Sequence, residues 1–207
     1  MKRLVLLRHG RTEWNDTRRA QGHADIPLDE QGRAQSKAVA PVLAAMAPVA
    51  VWSSDLSRAA QTAAHVAAEA GLEPVLDPRL REFDIGPNRT GLTSEEYAAA
   101  HPEEHALLLA GDDAAIPGRE TDDDVLARFL PALTSYADAL GEGETGIVVS
   151  HGAALRVCVP AFLGLADPGE ALGVLSNCGW IELEHAASTW TGGVERWRLT
   201  AWNRVVL

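Results

Sequence analysis

The sequence predicts a three-layer α/β/α sandwich, with helices on both faces of a mostly parallel central sheet, an antiparallel C-terminal edge and a helical insertion over the active site. Three observations carry that expectation. Short apolar runs at 4–7, 49–52, 74–76 and 146–149 read as strands, the first of them as a buried one. Helical stretches separate them, the rhythm of parallel units. In the tail, 179–183 and 194–202 alternate apolar and polar residues, as antiparallel strands do.

The elements follow in order. The first run ends in Arg8-His9-Gly10 and leads into a polar loop over 16–28. Asp29 caps a helix reaching about Met46, with a kink or break expected at Pro41. After the second run, Asp55 or Ser57 opens an alanine-rich helix that stops near Gly71. Residues 82–125 break the rhythm. Thr93-Ser94-Glu95-Glu96 is a capping box for a short helix, another follows at 102–110, and Pro117-Gly118 marks a loop. The stretch 84–120 is thus expected to be a lid-like insertion within a single domain spanning 1–207. From Thr121 to Leu140 the apolar positions Val125, Phe129, Leu130, Leu133 and Tyr136 describe an amphipathic helix. The fourth run ends in Ser150-His151-Gly152, and a helix continues to Leu163.

Composition bounds the function. The chain has 207 residues, suited to one domain with a real core, and a net charge of −11. That acidity argues against bulk electrostatic binding of nucleic acid or an anionic membrane surface. No secretory signal is visible, because the apolar run after Lys2 and Arg3 ends at Arg8, and no stretch is long enough to span a membrane. Cys158 and Cys178 are expected as two free thiols in a cytoplasmic protein.

In parallel α/β sheets, ligands lie outside the carboxyl ends of strands. Three strand ends here carry chemistry: Arg8-His9-Gly10, Ser53-Ser54 leading to Arg58, and Ser150-His151-Gly152. Singly, a His-Gly after a strand is a turn, Arg58 a helix surface residue and Glu82 a solvated acid. Two such turns after two strands, one preceded by arginine, change that weighing. Arginine forks match phosphate oxygens. A neutral imidazole can attack phosphorus. Phosphoryl transfer needs mainly positioning and charge stabilisation. Glu82, following the third strand, is placed to protonate a leaving alkoxide, and a bound phosphate dianion beside it favours its protonated form.

Residues Leu7-Arg8-His9-Gly10-Arg11-Thr12-Glu13-Trp14-Asn15 resemble the signature of the histidine phosphatase superfamily, in its phosphoglycerate-mutase-like branch. The likeness continues through Gln21-Gly22, Asp25-Ile26-Pro27-Leu28, Gly32-Arg33-Ala34-Gln35, Ser53 to Ala63, Leu80-Arg81-Glu82 and Val148 to Gly152. The segments Asp55-Leu56-Ser57-Arg58-Ala59 and Arg196 to Asn203 are similar to those of actinobacterial phosphatases, including those acting on glucosyl-3-phosphoglycerate. The resemblance implies His9 as nucleophile and Glu82 as acid and then base. Arg8, Arg58 and His151 would form the phosphate pocket, and Asn15 would add a phosphate contact. Thr12, Gln21 and Gly22, with Gly152, would lie near substrate. It implies a small phosphorylated metabolite as partner, with no metal or other cofactor; a homodimer is compatible with it. The sequence departs from the family where many relatives have Gly-x-Trp-Glu-Gly. Here Gly86-Pro87-Asn88-Arg89-Thr90-Gly91 stands instead.

Phosphatase chemistry is favoured over a cofactor-dependent phosphoglycerate mutase, which is expected to need a larger basic insertion and an Arg-His-Tyr-Gly stretch. The stretch 82–144 instead holds 15 acids and three arginines. A non-catalytic phosphoryl-ligand-binding protein is the alternative from another class. A metal site built on His9, His151 and Glu82 is disfavoured by the flanking arginines. His23 is expected near substrate, His65 on a helix face, His101 and His105 as a surface pair and His185 in a turn. Trp180, Trp190, Trp197 and Trp202 are expected to pack in the core or a dimer, and Trp14 at or beneath the pocket. Residues 1–23 carry six basic and two acidic residues, which predicts a basic pocket under an acidic lid.

Overall fold

The computed structural model describes residues 1–165, 171–187 and 192–206. Strands β1 (Lys2–Arg8), β2 (Pro48–Ser53), β3 (Pro74–Leu76) and β4 (Thr145–Ser150) run parallel, and β5 (Trp180–Ala187) and β6 (Glu195–Arg204) form the antiparallel edge. Their order across the sheet is β3-β2-β4-β1-β5-β6. The chain leaves β1 outward, passes over the place that β4 later fills, and returns to fill it before β5 and β6 extend the sheet on the other side of β1. The carboxyl ends of β1, β4 and β2 therefore lie side by side, where the sheet reverses its winding.

The central run shows why an unbroken apolar strand is needed. Leu4, Val5, Leu6 and Leu7 are all fully buried. Leu4 and Leu6 pack with Phe129, Leu133 and Leu155, from α6 (Asp122–Ala139) and α7 (Gly152–Phe162). Val5 and Leu7 pack with Val39, Leu43, Ala63 and Val66, from α2 (Glu30–Ala44) and α3 (Ser57–Ala70). Each face of the sheet is covered by one helix pair. Between β3 and α6 come α4 (Ser94–Ala100) and α5 (Pro102–Ala110), and a one-turn helix α1 (Glu13–Asp16) follows β1.

Most expected boundaries hold. Asp29 caps α2, its carboxylate accepting from Gly32 N at 2.7 Å. Gly71 ends α3 in the left-handed conformation at φ 70°. Thr93 and Thr121 form capping boxes with Glu96 and Asp124. Two expectations are corrected and a third is narrowed. Of the kink or break expected at Pro41, the break is ruled out, because α2 continues through Pro41 to Ala44. Neither Asp55 nor Ser57 caps α3. Leu56 holds that position, and the side chain that bonds the helix start is Asp25, from the preceding loop, which accepts from Ser57 N at 2.6 Å and Ser57 Oγ at 2.8 Å. Asp55 is occupied by Arg81, 2.7 Å from its Nε. His185 lies in β5, not in a turn, with its ring 5.2 Å from that of Trp197.

Trp180 is buried, and Trp197 and Trp202 pack against the core, while Trp190 lies outside the described residues. Cys158 and Cys178 are free and buried. No helix among the described residues is long and apolar enough to cross a membrane.

The turn after β1 is seated on α2 by contact too close for any side chain. A Cβ at Gly32 would lie 1.9 Å from the Arg11 carbonyl oxygen. In an ordinary helix, Gly→Ala stabilises by about 1 kcal/mol. Here backbone blocks the methyl, so Gly32→Ala is expected to destabilise by roughly 1–3 kcal/mol. Urea unfolding checks this, and an unchanged or raised midpoint would refute the close seating.

Candidate active site

The carboxyl ends of β1, β2 and β4 open into a cleft of about 430 Å³. Arg8, His9, Asn15, Gln21, Gly22, Arg58 and Glu82 all line it. Thr12, His151 and Gly152 stand immediately behind.

His9 is held by its backbone and by its ring. Its N–H donates to the Ser150 carbonyl at 3.0 Å, and its carbonyl accepts from Asn177 Nδ2 at 3.1 Å. Ring Nδ1 lies 2.7 Å from the Gly10 carbonyl. A carbonyl can only accept, so Nδ1 carries the proton and Nε2 keeps its lone pair. Burial, with Arg58 and Arg8 alongside, lowers the His9 pKa well below the ordinary histidine value. The ring is therefore a neutral nucleophile with one nitrogen available.

His151 is fully buried, its ring centroid 5.2 Å from that of His9. It accepts at Nδ1 from Arg58 Nε at 3.3 Å, so its Nε2–H donates to Ser54 Oγ at 2.9 Å. Burial, then Arg58, lowers its pKa well below the ordinary value as well. Both ring nitrogens are thus engaged, and His151 orients Arg58.

Arg58 is 1% exposed and donates to the Gly22 and Ala24 carbonyls, each at 2.8 Å. Burial lowers its pKa to about 10, while Glu82 and Asp25 oppose the shift, so it remains a cation at neutral pH. Arg8 donates to the Leu175 carbonyl and keeps a buried Nε with no partner. A Cβ at Gly152 would come within 3.2 Å of that Nε. Gly152 thus makes room for the guanidinium.

Glu82 is the side-chain cap of α7. Its oxygens accept from Ala153 N at 3.1 Å, Ala154 N at 2.8 Å and its own neighbour Phe83 N at 3.1 Å. Its carbonyl accepts from His23 Nε2 and Arg128 Nη2, both at 2.8 Å. Arg128 also reaches the carbonyls of Arg79 and Arg81 and is locked by Glu120 at 2.8 Å.

Asn15 directs its Oδ1 to Thr12 N at 3.1 Å and Asn177 Nδ2 at 3.3 Å, leaving its amide donors for the cleft. Thr12 is fully buried. Its hydroxyl caps α1 and lies 3.1 Å from Gln21 Oε1, so it supports Gln21 from behind. His23 bonds the Glu82 backbone and does not line the cleft. Trp14 lies beneath the 86–91 segment, 3.2 Å from where a Gly91 Cβ would be. His65 is half-buried on α3, and the rings of His101 and His105 flank Tyr97. No group of three His, Cys, Asp or Glu among the described residues could hold a metal ion.

Sequence reasoning missed Arg128, Asn177, Arg89, Arg119 and Arg156. The last three line the cleft. One signal was available: in 82–144 the only residues of the lysine and arginine type are Arg89, Arg119 and Arg128, and all three turn inward.

The sequence pattern of the histidine phosphatase superfamily (branch 1) matches residues 4–200. The chain is 38% identical to a glucosyl-3-phosphoglycerate phosphatase of Mycolicibacterium vanbaalenii, covering 98% of this chain and 95% of that one. It is 35% identical to a probable phosphoglycerate mutase GpmB of an Enterobacter species, covering 92% and 88%. The solved structure of a mycobacterial glucosyl-3-phosphoglycerate phosphatase with VO3 superposes with a TM-score of 0.84, at 36% identity, covering 98% and 99%.

The neutral histidines set a pH dependence. Unfolded, His9 and His151 take up protons near pH 6.5; folded, they resist until well below it. The unfolded state therefore binds more protons, and stability falls as pH drops through about 6.5. The urea midpoint is expected to fall between about pH 7 and 5.5, with a shallower slope in His151→Asn. A flat wild-type profile over that range would contradict the neutral pair.

Proposed function

Since this chain belongs to the histidine phosphatase superfamily and is a phosphatase, we propose that it hydrolyses small phosphomonoesters, sugar phosphates or phosphoglycerate derivatives, through a phosphohistidine on His9. The supporting observation is the His9 ring: neutral, with Nδ1 tied to Gly10 and Nε2 available beside the buried Arg58 and the half-buried Arg8.

Arg8 and Arg58, with Asn15, hold the phosphoryl oxygens and offset charge as the group moves. His9 Nε2 attacks phosphorus as the ester P–O bond breaks, and protonated Glu82 gives its proton to the departing alkoxide. Water then enters. Glu82 takes its proton, the hydroxide attacks phosphorus, the P–N bond breaks and the electron pair returns to Nε2. Phosphate leaves with Glu82 protonated again. Arg128 and His23 fix Glu82 from its backbone side, and α7 fixes its carboxyl. Residues 84–120 act as a lid, contributing Ile85, Arg89, Asp113 and Arg119 to the cleft.

The mycobacterial relatives' names point to glucosyl-3-phosphoglycerate as one candidate substrate. The GpmB-named relatives make mutase activity the competing outcome. Free phosphate release that outpaces phosphoglycerate interconversion supports the phosphatase; the reverse overturns it.

His9→Ala is expected to lower kcat by about a thousandfold or more and to leave no acid-labile phosphoenzyme in a rapid quench. Equal phosphate release by wild type and variant would end the proposal. Glu82→Gln is expected to cost about 10²–10⁴ in kcat on alkyl phosphates and far less on p-nitrophenyl phosphate, whose leaving group needs little protonation. Equal losses on both would remove Glu82 as the proton donor.

A further inference from the structure

The cleft carries a second cationic cluster that the chemistry above does not use. Of the three arginines in the acidic stretch 82–144, Arg128 is bonded to the Glu82 carbonyl, and Arg89 and Arg119 line the cleft. Their guanidinium groups interact: burial and then Arg119 lower the pKa of Arg89. Arg119 has only 11% of its side chain exposed and lies over the Phe83 ring at 6.0 Å. It makes one ion pair, to Asp113, and its Nε is buried with no partner. Arg89 lies over the Tyr97 ring at 5.9 Å, and no hydrogen bond or ion pair holds its guanidinium among the described residues. A guanidinium presents five donors and does not lose its charge. Two neighbouring cations drawn partly out of water, with donors unspent, are stabilised by an anion that meets both.

The charge count says which anion. Around the mouth, Arg19, Arg89, Arg119 and Arg156 are set against Asp113 and Asp122 of the lining and against Glu96, which pairs with Arg19 from outside the lining, a surplus of one positive charge among the described residues. A monoanion matches that surplus. A second phosphate dianion would leave one charge set against Asp113 and Asp122.

We propose that Arg89 and Arg119 form a subsite for a carboxylate on the part of the substrate that is not transferred, so that the enzyme selects phosphomonoesters carrying such a group. This rests on the phosphatase reading above. The subsite is carried by the Gly86–Gly91 segment and by the loop at Gly118, which are braced on each other. A Gly86 Cβ would lie 2.6 Å from the Pro117 carbonyl, and a Gly118 Cβ 3.1 Å from the Pro87 ring.

The test compares 3-phosphoglycerate with glycerol 3-phosphate, which has a hydroxymethyl group in place of the carboxylate. The wild-type kcat/KM is expected to favour 3-phosphoglycerate by about tenfold or more, the scale of a hydrogen bond to a charged group. Arg89→Gln and Arg119→Gln should each move that ratio toward one, and Arg89→Lys, which keeps the charge without the fork, should recover part of it. Calorimetric binding of the two esters to His9→Ala reads the same ratio without turnover. A wild-type ratio near one, or a ratio unchanged in both glutamine variants, overturns the subsite; phosphate release from glycerol 3-phosphate would still sustain the phosphatase reading. Release from neither ester removes that reading, and the binding ratio then decides the subsite alone.

Discussion

Arg58 is a full cation with 1% exposure, and two carbonyl oxygens and the His151 ring, not a carboxylate, receive its guanidinium. Much of the site follows from that constraint. A buried charge needs its donors satisfied, so the loop after α1 is bent until Gly22 and Ala24 point their carbonyls at it. Asp25, in the same loop, bonds the start of α3, the helix that carries Arg58, and thereby ties the receiving carbonyls to the charge they receive. Carbonyls satisfy the donors without cancelling the charge. The cation thus stays available to an arriving phosphoryl group, and it adds to burial, the larger cause, in keeping both neighbouring imidazoles neutral.

Glu82 obeys a related economy. The start of α7 leaves backbone donors that need a partner, and a carboxylate fits them well. The one acid at the inner end of the cleft therefore completes a helix as well as facing the ligand. Its backbone is gripped from behind by Arg128 and His23. Its carboxyl is held by backbone donors at the start of α7 and at Phe83, and its backbone by two side chains, Arg128 and His23, that do not line the cleft.

The net charge of −11 and an anion-binding cleft coexist because sign is sorted by direction. Acids of the insertion point to solvent or pair locally, while its arginines turn inward. The expected basic pocket under an acidic lid is refined by this: the inner lining of the insertion is itself cationic, so the cleft is basic from floor to mouth. Asp113 and Asp122 trim that charge at the rim.

Strand runs, helix caps at Asp29 and Thr93, and the three strand ends carrying Arg8-His9, Arg58 and His151 were legible because each depends on residues close in sequence. Burial on both faces demands an apolar run, a helix start demands a capping oxygen, and phosphoryl chemistry demands a particular set of side chains. The cap of α3 by Asp25, the cap of α7 by Glu82, the grip of Arg128 on three carbonyls and the inward turn of Arg89 and Arg119 were not. Each joins residues tens of positions apart, and no local pattern encodes which donor will meet which acceptor. By itself the sequence determined the elements and the inventory of reactive groups. Tertiary structure decided which of those groups face the cleft and which stand behind it, because only packing brings a distant carbonyl to a buried cation.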